Sequence, residues 1–157
     1  MKNFFNFTYD ELVQQFTEEK LQKFRVAQLW QGIYKELKST PEEITTISKK
    51  LASHLNENFS FTNLKTLDVS KSSDGETEKY LFELNDKNTI ETVIMSYHDR
   101  ETVCVSTQAG CAMKCDFCAT GKMGLHRNLS AGEIVEQIMV IQRQLALEEK
   151  KITNIVF

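Results

Sequence analysis

The stretch from Ser130 to Leu147 constrains the fold of this chain more than any other. Ser130-Ala-Gly-Glu133 has the capping-box pattern, in which the first and fourth residues satisfy each other's backbone N–H at a helix start. Ile134, Val135, Ile138, Ile141 and Leu145 follow at helical spacing and cover much of the circumference. A helix that is apolar over so much of its surface has to be buried on more than one side. Before it, about 101–107 reads as a strand, and after it so does Ile152 to Phe157. Strand, loop, helix, strand is one βαβ unit, and such units belong to parallel sheets covered on both faces. One unit cannot bury this helix by itself. The sequence is therefore expected to break off inside a larger α/β domain.

The residues upstream divide in two. Thr8-Tyr-Asp-Glu11 is another capping box, with Leu12, Val13 and Phe16 behind it at helical spacing. Val26, Leu29, Trp30, Ile33 and Leu37 predict a second helix over about 24–37, with Trp30 and Tyr34 in the core. Ser39-Thr40-Pro41-Glu42 looks like a helix start with proline at its first position, and Ser48 opens a further short helix with Leu51 and Leu55 inward. Residues 1–62 thus predict a small helical domain. From 63 to 100 the pattern changes to strands. Tyr80, Phe82 and Leu84 alternate with polar or outward positions, and Ile90 to Met95 is rich in β-branched residues. Turn signals fall at Ser72-Ser-Asp-Gly75 and Asn85-Asp-Lys-Asn88, which predicts an antiparallel meander linking the helical domain to the βαβ unit of 101–157.

Charge and composition narrow the setting. Residues 1–99 carry 12 Lys/Arg against 16 Asp/Glu, a net of −4, and residues 100–157 carry 7 against 6, a net of +1. This gives no global attraction to nucleic acid or membrane. The first residues lack the continuous apolar core of a secretion signal, and no segment approaches the ~20 apolar residues of a membrane span. Clustered cysteines without such a signal point to metal or catalysis in a reducing cytoplasm rather than to a disulfide scaffold.

All four cysteines lie between 104 and 118, three of them in C-A-M-K-C-D-F-C as Cys111, Cys115 and Cys118. Three thiolates can ligate three irons of a [4Fe-4S] cluster and leave the fourth iron open. An open iron suits the amine and carboxylate of S-adenosylmethionine, whose sulfonium a reduced cluster can cleave to a 5′-deoxyadenosyl radical. The alternative is a structural zinc site made by all four cysteines, or by three with His126. Zinc sites usually pair cysteines in two short knuckles, and no second knuckle is present. The loop follows a strand, where ligand sites of parallel α/β folds lie.

Cysteines at a spacing of three then two, with an aromatic before the last, resemble the signature of the radical S-adenosylmethionine superfamily. Three longer runs, I-E-T-V-I-M-S (90–96), T-V-C-V-S-T-Q-A-G-C-A-M-K-C-D-F-C-A-T-G-K-M-G (102–124) and H-R-N-L-S-A-G-E-I-V-E-Q-I (126–138), resemble one branch of it. That branch is the RlmN type, the adenosine C2 methyltransferases of 23S ribosomal RNA and tRNA. F-R-V-A-Q-L-W (24–30), S-S-D-G (72–75), K-Y-L-F-E-L (79–84) and I-T-N-I-V-F (152–157) are similar to it too. The related adenine-C8 methyltransferases are the nearest alternative.

The resemblance implies an α/β fold in which 101–157 begins a (β/α)6 partial barrel. It implies a [4Fe-4S] cluster held by Cys111, Cys115 and Cys118, with S-adenosylmethionine as second cofactor. Phe117 is implied either beside the adenosyl group or in plain packing. In the family, one S-adenosylmethionine methylates a late cysteine, and a second supplies the radical that activates that methyl group for addition to adenine C2. Glu91 matches the acceptor of the C2 proton, and Cys104 matches the cysteine of a transient disulfide that releases product. Taken without the resemblance, Cys104 reads as a buried strand thiol and Glu91 as an ordinary polar strand position. The implied partners are 23S rRNA and tRNA and an electron donor such as flavodoxin, around a monomeric cytoplasmic enzyme. No cysteine follows Cys118, and the G-E-P segment of the family that helps hold S-adenosylmethionine does not occur. These residues alone are therefore expected not to methylate RNA. A non-catalytic RNA-binding remnant and a zinc-stabilised module are the rival readings, the first weakened by the acidity of the N-terminal part.

Overall fold

The computed structural model describes residues 1–157, which divide into two units, Met1–Asn63 and Leu64–Phe157. In the first, β1 (Lys2–Asn3) precedes helices α1 (Tyr9–Glu18), α2 (Phe24–Trp30) and α3 (Lys49–Asn58), and β2 (Phe59–Ser60) pairs in parallel with β1. The capping box of α1 is complete: Thr8 Oγ1 accepts from the Glu11 N–H at 3.3 Å, and the Glu11 carboxylate accepts from the Thr8 N–H at 2.7 Å. Leu12 and Phe16 are fully buried beneath it.

The second helix departs from the expected 24–37. Its α-helical hydrogen bonds end at Trp30, and a π-turn spans Gln31–Lys35, with the Glu36 N–H donating to the Gln31 carbonyl. Leu37 then turns left-handed at φ 59°, and the Lys38 N–H closes the end on the Gly32 carbonyl. Gly32 is packed so tightly on Ile44 that an added Cβ would lie 2.4 Å from Ile44 Cδ1. The Pro41 start yields only one 3₁₀ turn, Pro41–Glu43, because Ile44 leaves in extended backbone to fill that contact. Phe4 lies at the centre of the aromatic core, its ring within 6.4 Å of those of Trp30, Tyr34, Phe59 and Phe61. Trp30 and Tyr34 therefore take the packing role, and burial pushes the Tyr34 hydroxyl up to about 12.

The second unit is built on one five-stranded sheet. It contains β3 (Lys65–Lys71), β4 (Thr77–Glu83), β5 (Thr89–Ser96), β6 (Glu101–Cys104), β7 (Gln108–Gly110), α4 (Ala119–Met123), β8 (Leu125–Asn128), α5 (Ala131–Ala146) and β9 (Asn154–Val156). The sheet order is β3-β4-β5-β6-β9. The first four strands form the antiparallel meander, and β9 lies parallel to β6 across the α5 crossover. The chain is thus mixed α/β. The ladder of β6 stops at Cys104, and the Val105 N–H continues the pairing onto the Val156 carbonyl at 2.9 Å.

Period-2 alternation sorts the strands into two faces. Tyr80, Phe82, Ile90, Ile94 and Val103 are buried in one core with Ile141 and Leu145 of α5. The capping box of α5 forms as the sequence predicts, with Ser130 and Glu133 bonding reciprocally. In the middle of this helix sits Gln137, wholly buried. Its Oε1 accepts from Thr92 Oγ1 at 2.7 Å and from the Ser106 N–H at 2.9 Å. Its Nε2 donates to the Ser106 carbonyl at 2.9 Å and to the Glu133 carbonyl at 3.1 Å. One amide thereby ties α5 to β5 and to the backbone that leaves β6 for the cysteine loop.

Replacing Gln137 with Leu keeps the volume and removes all four bonds, leaving the Ser106 N–H and C=O unpartnered. Each orphaned buried group costs roughly 1–3 kcal/mol, so Gln137→Leu should lower unfolding stability by about 3 kcal/mol or more. Urea unfolding checks this: the midpoint should fall while the slope stays constant.

Candidate functional site

The face of the sheet turned away from α5 carries the residues of chemical interest. On β5 the residues at 89, 91, 93 and 95 alternate away from the core. Val93 pairs with Cys104 and Met95 with Thr102, which puts Cys104 and Thr102 on that same open face. Continuing the register sets Ser106 beside Glu91, and the Ser106 hydroxyl donates to the Glu91 carbonyl at 2.7 Å. Glu91 and Cys104 are therefore diagonal cross-strand neighbours, a relation that typically separates residues by ~7–8 Å. The Glu91 carboxylate is half-exposed and pairs with Lys79 Nζ at 2.9 Å.

A cavity of about 230 Å³ opens beside Glu91. Glu91, Ser106 and Gln108 line it from the sheet, and Gly110, Ala119 and Thr120 line it from the cysteine loop. Ala119 and Thr120 begin α4, directly after Cys118. The structure thus brings Glu91 and the end of the cysteine motif to one cavity. Sequence reasoning had not picked out its other polar walls, Ser106, Gln108 and Thr120; their only signal was nearness to the cysteines.

The loop closes at its base by the β7–β8 ladder, in which Gln108 faces Asn128 and Ala109 faces Arg127. Inside it the Cys111 N–H donates to the Gly124 carbonyl at 2.9 Å, and the Cys118 N–H to the Cys115 carbonyl at 3.1 Å. Two glycines are sterically required. Gly110 has φ 76°, and a Cβ there would stand 1.9 Å from the Gly124 carbonyl oxygen. At Gly121 a Cβ would stand 2.9 Å from the Cys115 backbone nitrogen, so α4 rests directly on the turn that carries the middle cysteine.

Cys104, Cys111, Cys115 and Cys118 are all free thiols and partly exposed. The structure does not gather three His, Cys, Asp or Glu side chains at ligating distance. The donor set nonetheless fits an iron–sulfur cluster: Cys111, Cys115 and Cys118 are uncommitted soft donors on one short loop, the ligand type such clusters take. Phe117 is 94% exposed, so its ring packs against almost nothing in this chain.

Arg127 anchors the base of the loop. Its Nε donates to Asp86 Oδ2 at 2.5 Å, in the turn between β4 and β5. Its two terminal nitrogens form a fork on the Glu133 carboxylate at 2.9 and 2.8 Å. The guanidinium holds the Asp86 and Glu133 carboxyls below the usual carboxylate range. Glu133 is recognisable in the sequence as a helix cap and Asp86 as part of a turn, but no local pattern signals that both meet Arg127.

The class whose fold this chain shares is the radical S-adenosylmethionine methyltransferases. The crystal structure of one from Sphaerobacter thermophilus superimposes with a TM-score of 0.94 at 38% identity, over 99% of this chain and 46% of that one. Residues 2–60 match the ribosomal RNA large subunit methyltransferase N-terminal domain. The probable dual-specificity RNA methyltransferase RlmN of Fervidobacterium nodosum is 44% identical over 99% of this chain, and that of Thermotoga maritima is 43% identical over all of it. Over nearly its whole length the chain is similar to the RlmN methyltransferases. It spans 44% and 45% of the length of these two relatives. No helix is long and apolar enough to cross a membrane.

Two glycine variants should separate steric need from backbone strain. Gly124 has φ 75° and ψ 175°, a region essentially reserved for glycine, but open space around its Cβ position, so Gly124→Ala incurs backbone strain alone, about 1–3 kcal/mol. Gly110→Ala adds a backbone collision and should cost clearly more, with the loop from 108 to 128 losing amide protection first. Thermal unfolding with hydrogen exchange on both variants checks the order.

Proposed function

We propose that these residues form the cluster-binding part of a radical S-adenosylmethionine methyltransferase acting on C2 of adenine in 23S ribosomal RNA and tRNA. The observation that carries this reading is the shared open face. Glu91 and Cys104 are diagonal neighbours there, and the cavity beside Glu91 reaches the residue after Cys118. In this reading residues 1–62 are an accessory domain, 63–100 a linking meander, and 101–157 the first βαβ unit of a (β/α)6 partial barrel.

Cys111, Cys115 and Cys118 hold a [4Fe-4S] cluster through their thiolates. When bound with S-adenosylmethionine, the reduced cluster supplies the electron for homolytic cleavage of the sulfonium. Phe117 offers an unoccupied aromatic face to the adenosyl group, which accounts for a phenylalanine 94% exposed in the middle of the loop. Glu91 accepts the proton from adenine C2. Its carboxylate is half-exposed and held on the open face by Lys79, so it is reachable by a base entering from that side. Cys104, a free thiol one diagonal away, pairs with a second cysteine to release the product. No cysteine follows Cys118 among these 157 residues. The electron comes from a flavodoxin-like donor, and the protein acts as a cytoplasmic monomer.

The test has two arms. Anaerobic reconstitution of the chain should give a brown protein with iron and sulfide, and Cys→Ala at 111, 115 or 118 should each abolish it; stoichiometric zinc and no colour would overturn the cluster. In an RlmN relative of full family length, Glu→Gln at the position of Glu91 should leave the cluster content unchanged and reduce C2-methyladenosine formation by roughly 10²-fold or more, the scale of lost general-base catalysis. Normal methylation would remove Glu91 from the mechanism.

A further inference from the structure

We propose that the Asp86–Arg127–Glu133 bridge sets where the cysteine loop stands over the open face, making Arg127 a positioning residue for the cluster-ligating thiols. The proposal rests on reading Cys111, Cys115 and Cys118 as cluster ligands, and it assigns a role to three residues that the reaction itself leaves idle.

The loop needs such an anchor. The β7–β8 ladder joins the two ends of the loop to each other, and Ala109 and Leu129 pack its base into the core, a contact that is apolar and so has no direction of its own. The Arg127 side chain provides bonds that leave the ladder in two directions. One goes to Asp86, in the turn that leads into β5, five residues before Glu91. The other goes to Glu133, whose Oε2 also accepts from the Ser130 N–H at 2.8 Å as half of the α5 capping box. A third bond, from Arg127 to the Asn128 carbonyl at 3.1 Å, stiffens the arginine's own strand end. The guanidinium thus joins the start of the Glu91 strand, the return of the cysteine loop and the first turn of α5.

The chemistry favours arginine specifically. The planar fork meets Glu133 with two parallel bonds while Nε remains free for Asp86, a geometry that a lysine ammonium cannot reproduce. One cation stands between two carboxylates. Removing it does more than delete bonds: it leaves Asp86 and Glu133 facing the same vacated space with like charge. The loop should then swing away from the sheet instead of relaxing onto it, and the thiols should lose their fixed relation to Glu91.

The experiment compares the 157-residue chain with Arg127→Met, Arg127→Lys and Asp86→Asn after anaerobic reconstitution with ferrous iron and sulfide. The first readout is the electron paramagnetic resonance spectrum of the reduced cluster, together with iron and sulfide content. The second is amide exchange in 108–128 against that in β4 and β5 of the unreconstituted chain. Arg127→Met should bind several-fold less iron or give a broadened, shifted spectrum, and its loop amides should exchange roughly tenfold faster with the sheet unchanged. Arg127→Lys should recover part of the cluster content, and Asp86→Asn should fall between Lys and wild type. If Arg127→Met does not fold, Asp86→Asn, which removes one arm only, carries the same comparison. A wild-type spectrum and wild-type loop exchange in the variants would overturn the bridge's role. A wild-type chain that takes up no iron and sulfide would overturn the ligand reading and this role with it, even if exchange still revealed a hold on the loop.

Discussion

The buried amide of Gln137 is the constraint on which the second unit depends. A side chain with two donors and two acceptor lone pairs is expensive to bury unless all are used, and here all four bonds are made. Hydrophobic contact alone would hold α5 against the sheet but would tolerate sliding, because apolar attraction has no direction. The amide removes that freedom. It requires Thr92 of β5, Ser106 after β6 and the Glu133 carbonyl of α5 to meet at one point. Ser106 is where the backbone leaves the sheet for the cysteines, and its hydroxyl bonds to Glu91. The lock inside the core is therefore two bonds from the candidate base on the other face.

That connection explains the division of labour between the faces. The α5 side is apolar and closed, with Phe82, Val103 and Ile141 fully buried. The other side holds Glu91, Cys104 and the cavity, all partly open. The two faces come from the same strands by alternation, so a residue's parity decides whether it packs or reacts. A one-residue slip between β5 and β6 would exchange Cys104 for Val103 on the open face. The directional bonds of Gln137 are what guard against such a slip.

Much of this was legible in the sequence where local chemistry decides. The two complete capping boxes, the meander, the parallel return of β9 and the buried face of α5 follow from short patterns whose physics is local. The errors fall where tertiary packing overrides the pattern. Leu37 has the right helical spacing, yet the close contact of Gly32 with Ile44 and the π-turn end the helix before it. The Pro41 start has the right residues but one turn of helix, because Ile44 is needed in the core. In the site, the cysteines were visible because three thiols at short spacing are rare. Gln137 looked like a polar position in a helix, and Asp86 like a turn former. Nothing in the residues near them announces that their partners lie 31 and 41 positions away.

The polar account of the sheet closes everywhere but at one atom, and its position is informative. Thr102 Oγ1 is the one buried side-chain polar atom without a hydrogen-bond partner. Thr102 pairs with Met95 and lies on the open face, two residues before Cys104. Thr102 is itself only 6% exposed, so this chain's own side chains cover the orphaned hydroxyl. The same face carries Glu91 and Cys104, while Phe117 on the adjoining loop is almost entirely bare. The side that α5 covers is thus satisfied throughout, and the single orphaned atom lies on the side where chemistry is proposed. That asymmetry separates the face that packs from the face on which the chemistry is proposed.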